Sequence, residues 1–424
     1  MKKLLIISKN HNAKESSGSN RIRGFSKYLG EFGWEPIILT VDIETPEHFT
    51  YKVYATDYYN VIDEWKKKLG MNINTSVKNQ IQSIKYEKNN RYFQFLFTLW
   101  QDIFCNPDEY KRGWYPYAIE EGDKIISNNG IDAILSSSPP PTCHLIASKL
   151  SKKHKLPWIA DYRDLWTQYH YYPYSKVRRF IDNKLERKLL SDTVAITAVS
   201  EIFSKELKKL VSKKNIYTVE NGFNPLISSY KNLEPSDMFN IVYTGNLYQG
   251  KRDPEILFLA LKELIEENKI EKTKLKVDFY GNDQDWLKKD IKKFNLVKEV
   301  FLYGPISREE SIKQQRKAQI LLLQTINDPR DAGVIPGKLF DYFAAQRPIL
   351  SIGHKDSIIK KILAKTNAGV HVSEIYEVKN NIKKYYEDYI SNNIVNYNGI
   401  ESEINKYSHK EMALKMSKVL NENV

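Results

Sequence analysis

Short, continuous apolar runs recur along this chain, separated by stretches of helical period, and few folds accept that pattern. In the first half the runs are KLLIIS, EPIILTV, DAILSS, PWIADY, TVAITAV and NIYTVEN. Helix-like segments lie between them at 20–32, 141–154, 174–190 and 201–211. The series restarts near residue 239 with FNIVYTG and continues through KLKVDFYG, VFLYG, QILLLQ, RPILSIG and AGVHVS. A strand that is apolar along its whole length is buried on both faces, which implies parallel sheets covered by helices on each side. Two successive series predict an α/β chain of two Rossmann-like domains rather than one large sheet. A length of 424 residues is enough for two such cores.

The seam is expected in ENGFNPLISSYKNLEPSDMFN, which is rich in Asn, Pro, Ser and Gly. This gives a first domain over 1–225, a linker over 226–238, a second domain over 239–400, and a final helical stretch over 401–424 that packs back on the first domain. One segment, about 59–117, breaks the alternation. It joins a Lys/Asn-rich stretch to RYFQFLFTLWQDIF and YKRGWYPYAI. Basic residues beside an apolar, aromatic helix suit an interfacial membrane contact, and equally a helix whose apolar face covers the first sheet.

The formal charge of +13 favours phosphate-bearing partners of some kind. It does not point to nucleic acid, because no zinc-finger spacing or RNP-like aromatic strand accompanies it and the cations are spread over many helices. Cys105 and Cys143 are too few for a disulfide framework, so a reducing, cytoplasmic setting is expected. The apolar start MKKLLIIS stops at Ser8 and reads as a first strand rather than a signal segment. No apolar run reaches the roughly 18 residues of a membrane span.

Three segments of the second half could carry chemistry. IPGKLFDYFAAQRPIL, 335–350, follows the strand QILLLQ. Pro336 suits a first helical turn, and Gly337 allows close backbone approach. The free N–H groups there, the helix dipole and Lys338 would together receive a diphosphate. Leu339 follows in the same turn. Asp341 falls one turn on, placed to accept hydrogen bonds from ribose hydroxyls. In VYTGNLYQGKRDPEILFLAL a strand ends at Thr244-Gly245, Lys251 and Arg252 follow, and Asp253-Pro254 opens a helix. LYGPISREES adds a turn at Gly304 to Ile306. Each pattern also suits a plain capped helix or turn. What sets them apart is their position at strand carboxyl ends, where α/β sheets bind ligands.

In the first half, LPWIADYRDLW delivers Asp161, Arg163 and Asp164 to one strand end. Such a cluster can orient a hydroxyl or stabilise developing charge, or it can neutralise itself as a structural ion pair. SSSPPPTCH contributes His144, read as more structural than catalytic.

The KLFDYFAAQRPIL segment resembles the donor-site helix of glycosyltransferase family 4, and the resemblance extends over nearly the whole chain. It is strongest at 130–225 and 239–353, and PWIADYRDLW looks characteristic of a bacterial surface-polysaccharide subgroup. The resemblance implies the GT-B architecture, two Rossmann-like domains whose sheets face a central cleft. It implies retaining transfer of a hexosyl or acetamidohexosyl group from a nucleoside-diphosphate sugar, UDP first. The implied acceptor is a saccharide or a polyprenyl-diphosphate-linked saccharide at the inner face of the cytoplasmic membrane. Asp341 matches the family's ribose-binding acid, while its sugar-contacting acid falls on Gly333. Asn246 stands where the family has Arg, Lys251 aligns with its Lys, and Arg252 can supply the missing guanidinium. Gly304 and Ile306 match the neighbours of the base. Ser17, Gly18 and Ser19 match the small-residue loop that closes over the donor phosphates. No D-x-D motif is suitably placed, so neither a metal nor a resident cofactor is expected. Two other readings remain open: a GT-B nucleotide-sugar epimerase, or a non-catalytic nucleotide- or membrane-binding partner in polysaccharide assembly.

Overall fold

The computed structural model describes residues 1–9, 11, 17–41, 49–68, 70, 72, 102, 113–225, 233–282 and 284–424. The chain divides into two compact units. One comprises Met1–Val219 with Ala413–Val424, the other Glu220–Met412. Most of the expected 59–117 insertion lies outside the described residues.

The first unit holds a seven-stranded parallel sheet, among the described residues, in the order β3-β2-β1-β4-β5-β6-β7. Its strands are β1 (Lys2–Ile7), β2 (Trp34–Val41), β3 (Lys52–Thr56), β4 (Ala133–Ser138), β5 (Trp158–Tyr162), β6 (Ala195–Ala198) and β7 (Ile216–Thr218). The apolar runs behave as their composition requires. In β4, β5 and β6 every residue is buried, and Ile6 of β1 lies in register between Ile38 and Leu135. Strand β3 is a correction to the sequence reading, which passed over it. KVYAT is only partly buried and carries a lysine, because it is the edge of the sheet and has no second neighbour to demand an apolar run. The helix expected over 20–32 begins earlier, as Ser17–Tyr28, and its last turn tightens to a 3-10 turn at Leu29–Phe32. The serine caps appear where local chemistry favours them. Ser175 Oγ accepts from Arg178 N at 3.1 Å, and Ser200 Oγ from Phe203 N at 3.3 Å. The C-terminal segment joins this unit through Asn421, which accepts from Trp34 Nε1 at 2.9 Å, and Asn423, which donates to Tyr217 at 3.2 Å.

Among the described residues the second unit holds a six-stranded parallel sheet in the order β10-β9-β8-β11-β12-β13. The strands are β8 (Phe239–Thr244), β9 (Leu275–Tyr280), β10 (Val300–Leu302), β11 (Ile320–Gln324), β12 (Ile349–Ile352) and β13 (Gly369–Val372). All six were legible as apolar runs. Helices Glu255–Glu266 and Ile375–Asn392 pack into one core with this sheet, through Phe258, Leu261, Val378, Ile382 and Tyr386. In both units the strand order reverses beside the first strand, between β1 and β4 and between β8 and β11. Helices leaving a reversal point diverge to opposite faces, so a crevice opens at the carboxyl ends of those strands.

Candidate functional site

In the second unit the reversal point gathers residues that lie far apart in the chain. β8 ends at Thr244, and Gly245 turns away with φ of 113°, a left-handed conformation that a side chain would strain. Gly245 N donates to Tyr280 O at 2.5 Å. A Cβ on Gly281 would lie 2.3 Å from Gly245 O, so the β8 and β9 loop backbones touch and leave room for no side chain. A Cβ on Gly245 would lie 2.4 Å from Lys338 Cε and 2.7 Å from its Nζ. The Lys338 side chain therefore lies directly on the β8 turn. Its ammonium also sits over the Tyr243 ring, 5.2 Å from the centroid.

Lys338 begins the helix Lys338–Ala345, whose N-cap is Gly337 and whose N-terminus no side chain caps. The positive end of the helix dipole and the ammonium thus point into one place. Burial, reinforced by the nearby Arg252 charge and opposed by Asp341, lowers the Lys338 pKa to about 8. Leu339, next in the helix, is buried, and its N–H is already taken by Pro336 O at 3.0 Å. Asp341 accepts from Arg308 Nη2 at 2.9 Å. Burial raises its pKa, while the Arg308 charge pulls it back down. Arg308 was not legible as a site residue. It opens the helix Arg308–Lys317 behind the Ser307 cap, and only folding brings it to Asp341.

Gln324 was missed for the same reason. β11 pairs with β8 through Leu321 and Val242, and continuing that register brings Gln324 level with Gly245. Its side chain is buried, and among the described residues its Nε2 has no hydrogen-bond partner. A buried amide donor at this position needs an acceptor, which an anionic ligand would supply.

The loop after β8 is a tight turn. Lys251 N and Arg252 N both donate to Tyr248 O, at 3.0 and 2.9 Å, and the Arg252 guanidinium lies 5.8 Å from the Tyr248 ring. Lys251 is exposed. Asn246 is also exposed, its Oδ1 accepting from Asn282 N at 3.0 Å. Asp253 caps differently from the expected N-cap. It accepts from Glu255 N at 3.1 Å and Gly250 N at 3.2 Å, which moves the helix start to Glu255. Gly304, with φ of 75°, and the half-buried Ile306 follow β10. A shallow recess at the ends of β8, β9 and β10 is lined by Leu247, Phe279, Leu287 and Leu302 together with Gly245, Gly281 and Asn282. Gly333 is buried in the loop before the helix, as is Asp331.

The polar cluster of the first unit is arranged differently from its sequence order. Asp161 is wholly buried, and its partner is Arg21 rather than Arg163. Arg21 Nη2 and Nε donate to its two oxygens at 2.7 and 3.0 Å. Thr197 and Ser137 hydroxyls donate to the same oxygens, each at 2.7 Å. Burial by itself would raise the Asp161 pKa, but the Arg21 charge and these hydrogen bonds outweigh it and hold the carboxyl below its ordinary range, so it stays ionised. Arg163 is held by backbone carbonyls, Nε donating to Ser138 O at 3.2 Å and Nη2 to Pro139 O. Ser17, Gly18 and Ser19 form the first helical turn rather than a free loop, and a Cβ on Gly18 would lie 1.4 Å from Arg163 Nη1. Asp164 is exposed. His144 is buried, its Nδ1 2.7 Å from Ser136 Oγ and its ring 4.7 Å from that of Tyr162. Burial drives its pKa down to about 3, so it is neutral at ordinary pH. Among the described residues, no group of His, Cys, Asp or Glu is placed to hold a metal ion, and no helix is long and apolar enough to cross a membrane.

Two Rossmann units, each with its reversal point, define the GT-B architecture, and solved structures share it over the full chain. Sucrose-phosphate synthase from Thermosynechococcus elongatus aligns with a TM-score of 0.65 at 13% identity, covering 100% of this chain and 99% of that one. Anabaena HepE in complex with UDP and glucose aligns with a TM-score of 0.61 at 10% identity, covering 100% of both chains. A glycosyltransferase from Rickettsia africae aligns with a TM-score of 0.59 at 16% identity, covering 100% and 99%. At these identities the likeness establishes the fold. The sequence model of Glycosyltransferase Family 4 matches residues 89–225. No functionally curated protein matches the chain.

The Lys338 charge sets an expected pH dependence. If a nucleoside diphosphate is held at Lys338, its affinity should fall by up to about tenfold per pH unit once Lys338 loses its proton above about pH 8. Stability without ligand should move the opposite way. The unfolded chain keeps this proton up to the ordinary lysine value of 10.5, so between about 8 and 10.5 it binds more protons than the folded state, and this group's contribution rises with pH. Calorimetric titration of UDP across pH, on wild type and Lys338→Met, isolates the first effect. A wild-type slope that the variant shares would refute it.

Proposed function

We propose that this chain is a glycosyltransferase that takes its sugar from a UDP-sugar held in the second unit. The observation that carries this reading is the Lys338 ammonium, lying on the Gly245 turn at the β8/β11 reversal point and aligned with an uncapped helix N-terminus. That arrangement suits a diphosphate, with Arg252 and Lys251 on the neighbouring loop to add charge. Asp341, oriented by Arg308, accepts from ribose hydroxyls. Gly304, Ile306 and the recess border the base. The leaving group of such a transfer is the diphosphate itself, so cations that bind it also stabilise the charge that develops as the glycosidic bond breaks. The family match over 89–225 and the UDP seen with Anabaena HepE support this donor class.

In the same reading transfer is retaining, and the acceptor is a saccharide or a polyprenyl-diphosphate-linked saccharide of a bacterial surface polysaccharide, met at the membrane face. Asp161 is a positioning group here. Its oxygens are fully engaged, so its role is to hold Arg21 and, through Ser137 and Thr197, the ends of β4 and β6. Exposed Asp164 is the carboxylate of this strand end that can reach a hydroxyl.

The test is a panel of nucleotide sugars and their nucleotides, read by thermal shift and by release of free nucleotide with and without saccharide acceptors. Binding raises the melting temperature in proportion to ligand excess over Kd. The expected result is a shift with UDP and one UDP-sugar, and release of UDP from that sugar. Epimer formation from the donor alone would replace the transferase reading with an epimerase. UDP binding without release from any sugar would make the chain a nucleotide-binding partner.

A further inference from the structure

The helix Lys176–Ser191 departs from the usual division of polar and apolar faces. Its sequence is KVRRFIDNKLERKLLS, and its two acidic residues, Asp182 and Glu186, both point inward and are fully buried. Glu186 accepts from Tyr162 Oη at 3.0 Å, from Thr167 N at 3.3 Å and from Gln168 Nε2 at 3.0 Å. Asp182 takes Arg178 Nη2 at 2.6 Å and the Tyr172 hydroxyl. Both carboxyl groups of the helix are therefore engaged inside the unit.

The outward face carries what is left. Val177, Phe180 and Ile181 are 70%, 61% and 51% exposed, values ordinary for lysine and unusual for three large apolar side chains within two turns. Elsewhere in this unit, among the described residues, exposed large apolar side chains are scattered singly. Lys176, Lys184, Arg187 and Lys188 are exposed on the same face, and no acidic residue of this helix joins them. At about 100° per residue, Phe180, Lys184, Val177, Lys188 and Ile181 form one stripe along roughly 16 Å of helix. Lys184 Nζ lies 4.4 Å from the Phe180 centroid, the posture of a lysine whose stem lies along an apolar surface while its head stays at the water boundary.

We propose that this helix docks the first unit on an anionic lipid surface, lying in the interface plane. Cations alone would serve any polyanion. A lipid boundary, unlike a nucleic-acid backbone, also receives the valine, phenylalanine and isoleucine that alternate with them, and rewards their removal from water. The stripe is separate in sequence from the 59–117 segment, of which Asp102 accepts from Ser175 N at the helix N-cap at 3.0 Å, and it does not depend on the proposed donor site.

Sedimentation with vesicles tests it. The full chain should co-sediment with vesicles of equal parts phosphatidylglycerol and phosphatidylcholine, and weakly or not at all with phosphatidylcholine alone. Raised salt should loosen it, since exposed charges are screened. Phe180→Ser with Ile181→Ser should lower the partition by about tenfold or more, as should Lys184→Glu with Lys188→Glu. Because these side chains are exposed, thermal unfolding should be unchanged. Lys338→Met should bind vesicles like wild type, which separates this surface from the nucleotide site. Sedimentation of the Phe180/Ile181 variant at the wild-type level would overturn the proposal. Retention on RNA with no vesicle binding would also overturn it and point to a nucleic-acid partner.

Discussion

Replacing Lys338 by methionine is expected to slow UDP release from the donor by about 10²- to 10³-fold, with a smaller loss of UDP affinity. Methionine keeps the length and apolar stem, so the packing on Gly245 survives and the ammonium alone is lost. In the ground state the diphosphate also meets the helix N-terminus, Arg252 and Lys251. As the sugar leaves, negative charge builds on the diphosphate oxygens, and a desolvated ammonium gains more from it than an exposed one would. Lys338 is already desolvated, as its lowered pKa of about 8 records. The loss should therefore fall on kcat more than on KM, as it does for a contact that strengthens in the transition state. Equal activity of the variant and the wild type on a saturating donor would remove Lys338 from the chemistry. Lys251→Met is the comparison: it is exposed, so it should weaken binding modestly and leave kcat near the wild-type value.

The second large effect is on stability. Arg21→Met should destabilise the first unit by about 3–5 kcal/mol, because it strands the Asp161 carboxylate in a fully buried site. Thr197 and Ser137 would still donate to Asp161, which keeps the figure from rising further. Urea unfolding followed by tryptophan fluorescence reads this selectively, since every tryptophan except Trp286 precedes residue 220. The pH dependence should change with it. In the native protein the folded-state Asp161 pKa lies below its unfolded value, so its contribution is present above the ordinary aspartate range and is lost as acid titrates the folded carboxylate. In Arg21→Met that contribution disappears, and with it the wild type's extra loss of stability in acid. A double variant, Arg21→Met with Asp161→Leu, should recover part of the loss, as replacements of buried ion pairs often do. An Arg21→Met transition within experimental error of wild type would show that the pair is solvated in solution.

These two residues mark where sequence reasoning stops. Asp161 was legible as a strand-end acid, yet its partner is Arg21, 140 residues away, and not the adjacent Arg163. Arg163 lies just past the end of β5 and is held by the Ser138 and Pro139 carbonyls, while folding brings Arg21 of the Ser17–Tyr28 helix to Asp161. Lys338 was legible as a cation at a helix start. Its contact with Gly245 and its ring contact with Tyr243 depend on β11 running beside β8. Arg308 and Gln324 carried no local signal, because a lone arginine at a capped helix start and a glutamine ending a strand are ordinary in themselves.

What the sequence by itself determined was periodicity and punctuation. Continuous apolar runs specify strands buried on both faces, Thr-Gly marks where one of them ends, and Pro-Gly and Asp-Pro signals mark where helices begin to within a residue or so. Both act over a few residues and need no knowledge of the rest of the chain. That was sufficient for two parallel α/β units and for the strand ends where a ligand would sit. Tertiary structure alone decided which charges are spent on one another and which remain available. In Lys176–Ser191 it turned both acids inward and left cations and apolar side chains outside, a choice fixed by Tyr162, Thr167, Gln168, Tyr172 and Arg178. A buried carboxylate is tolerated only where other segments bring donors to it. Those donors lie between 4 and 24 residues before the acids, on the strand, the loop and the helix itself, and helical period says nothing of how that loop folds back on the helix.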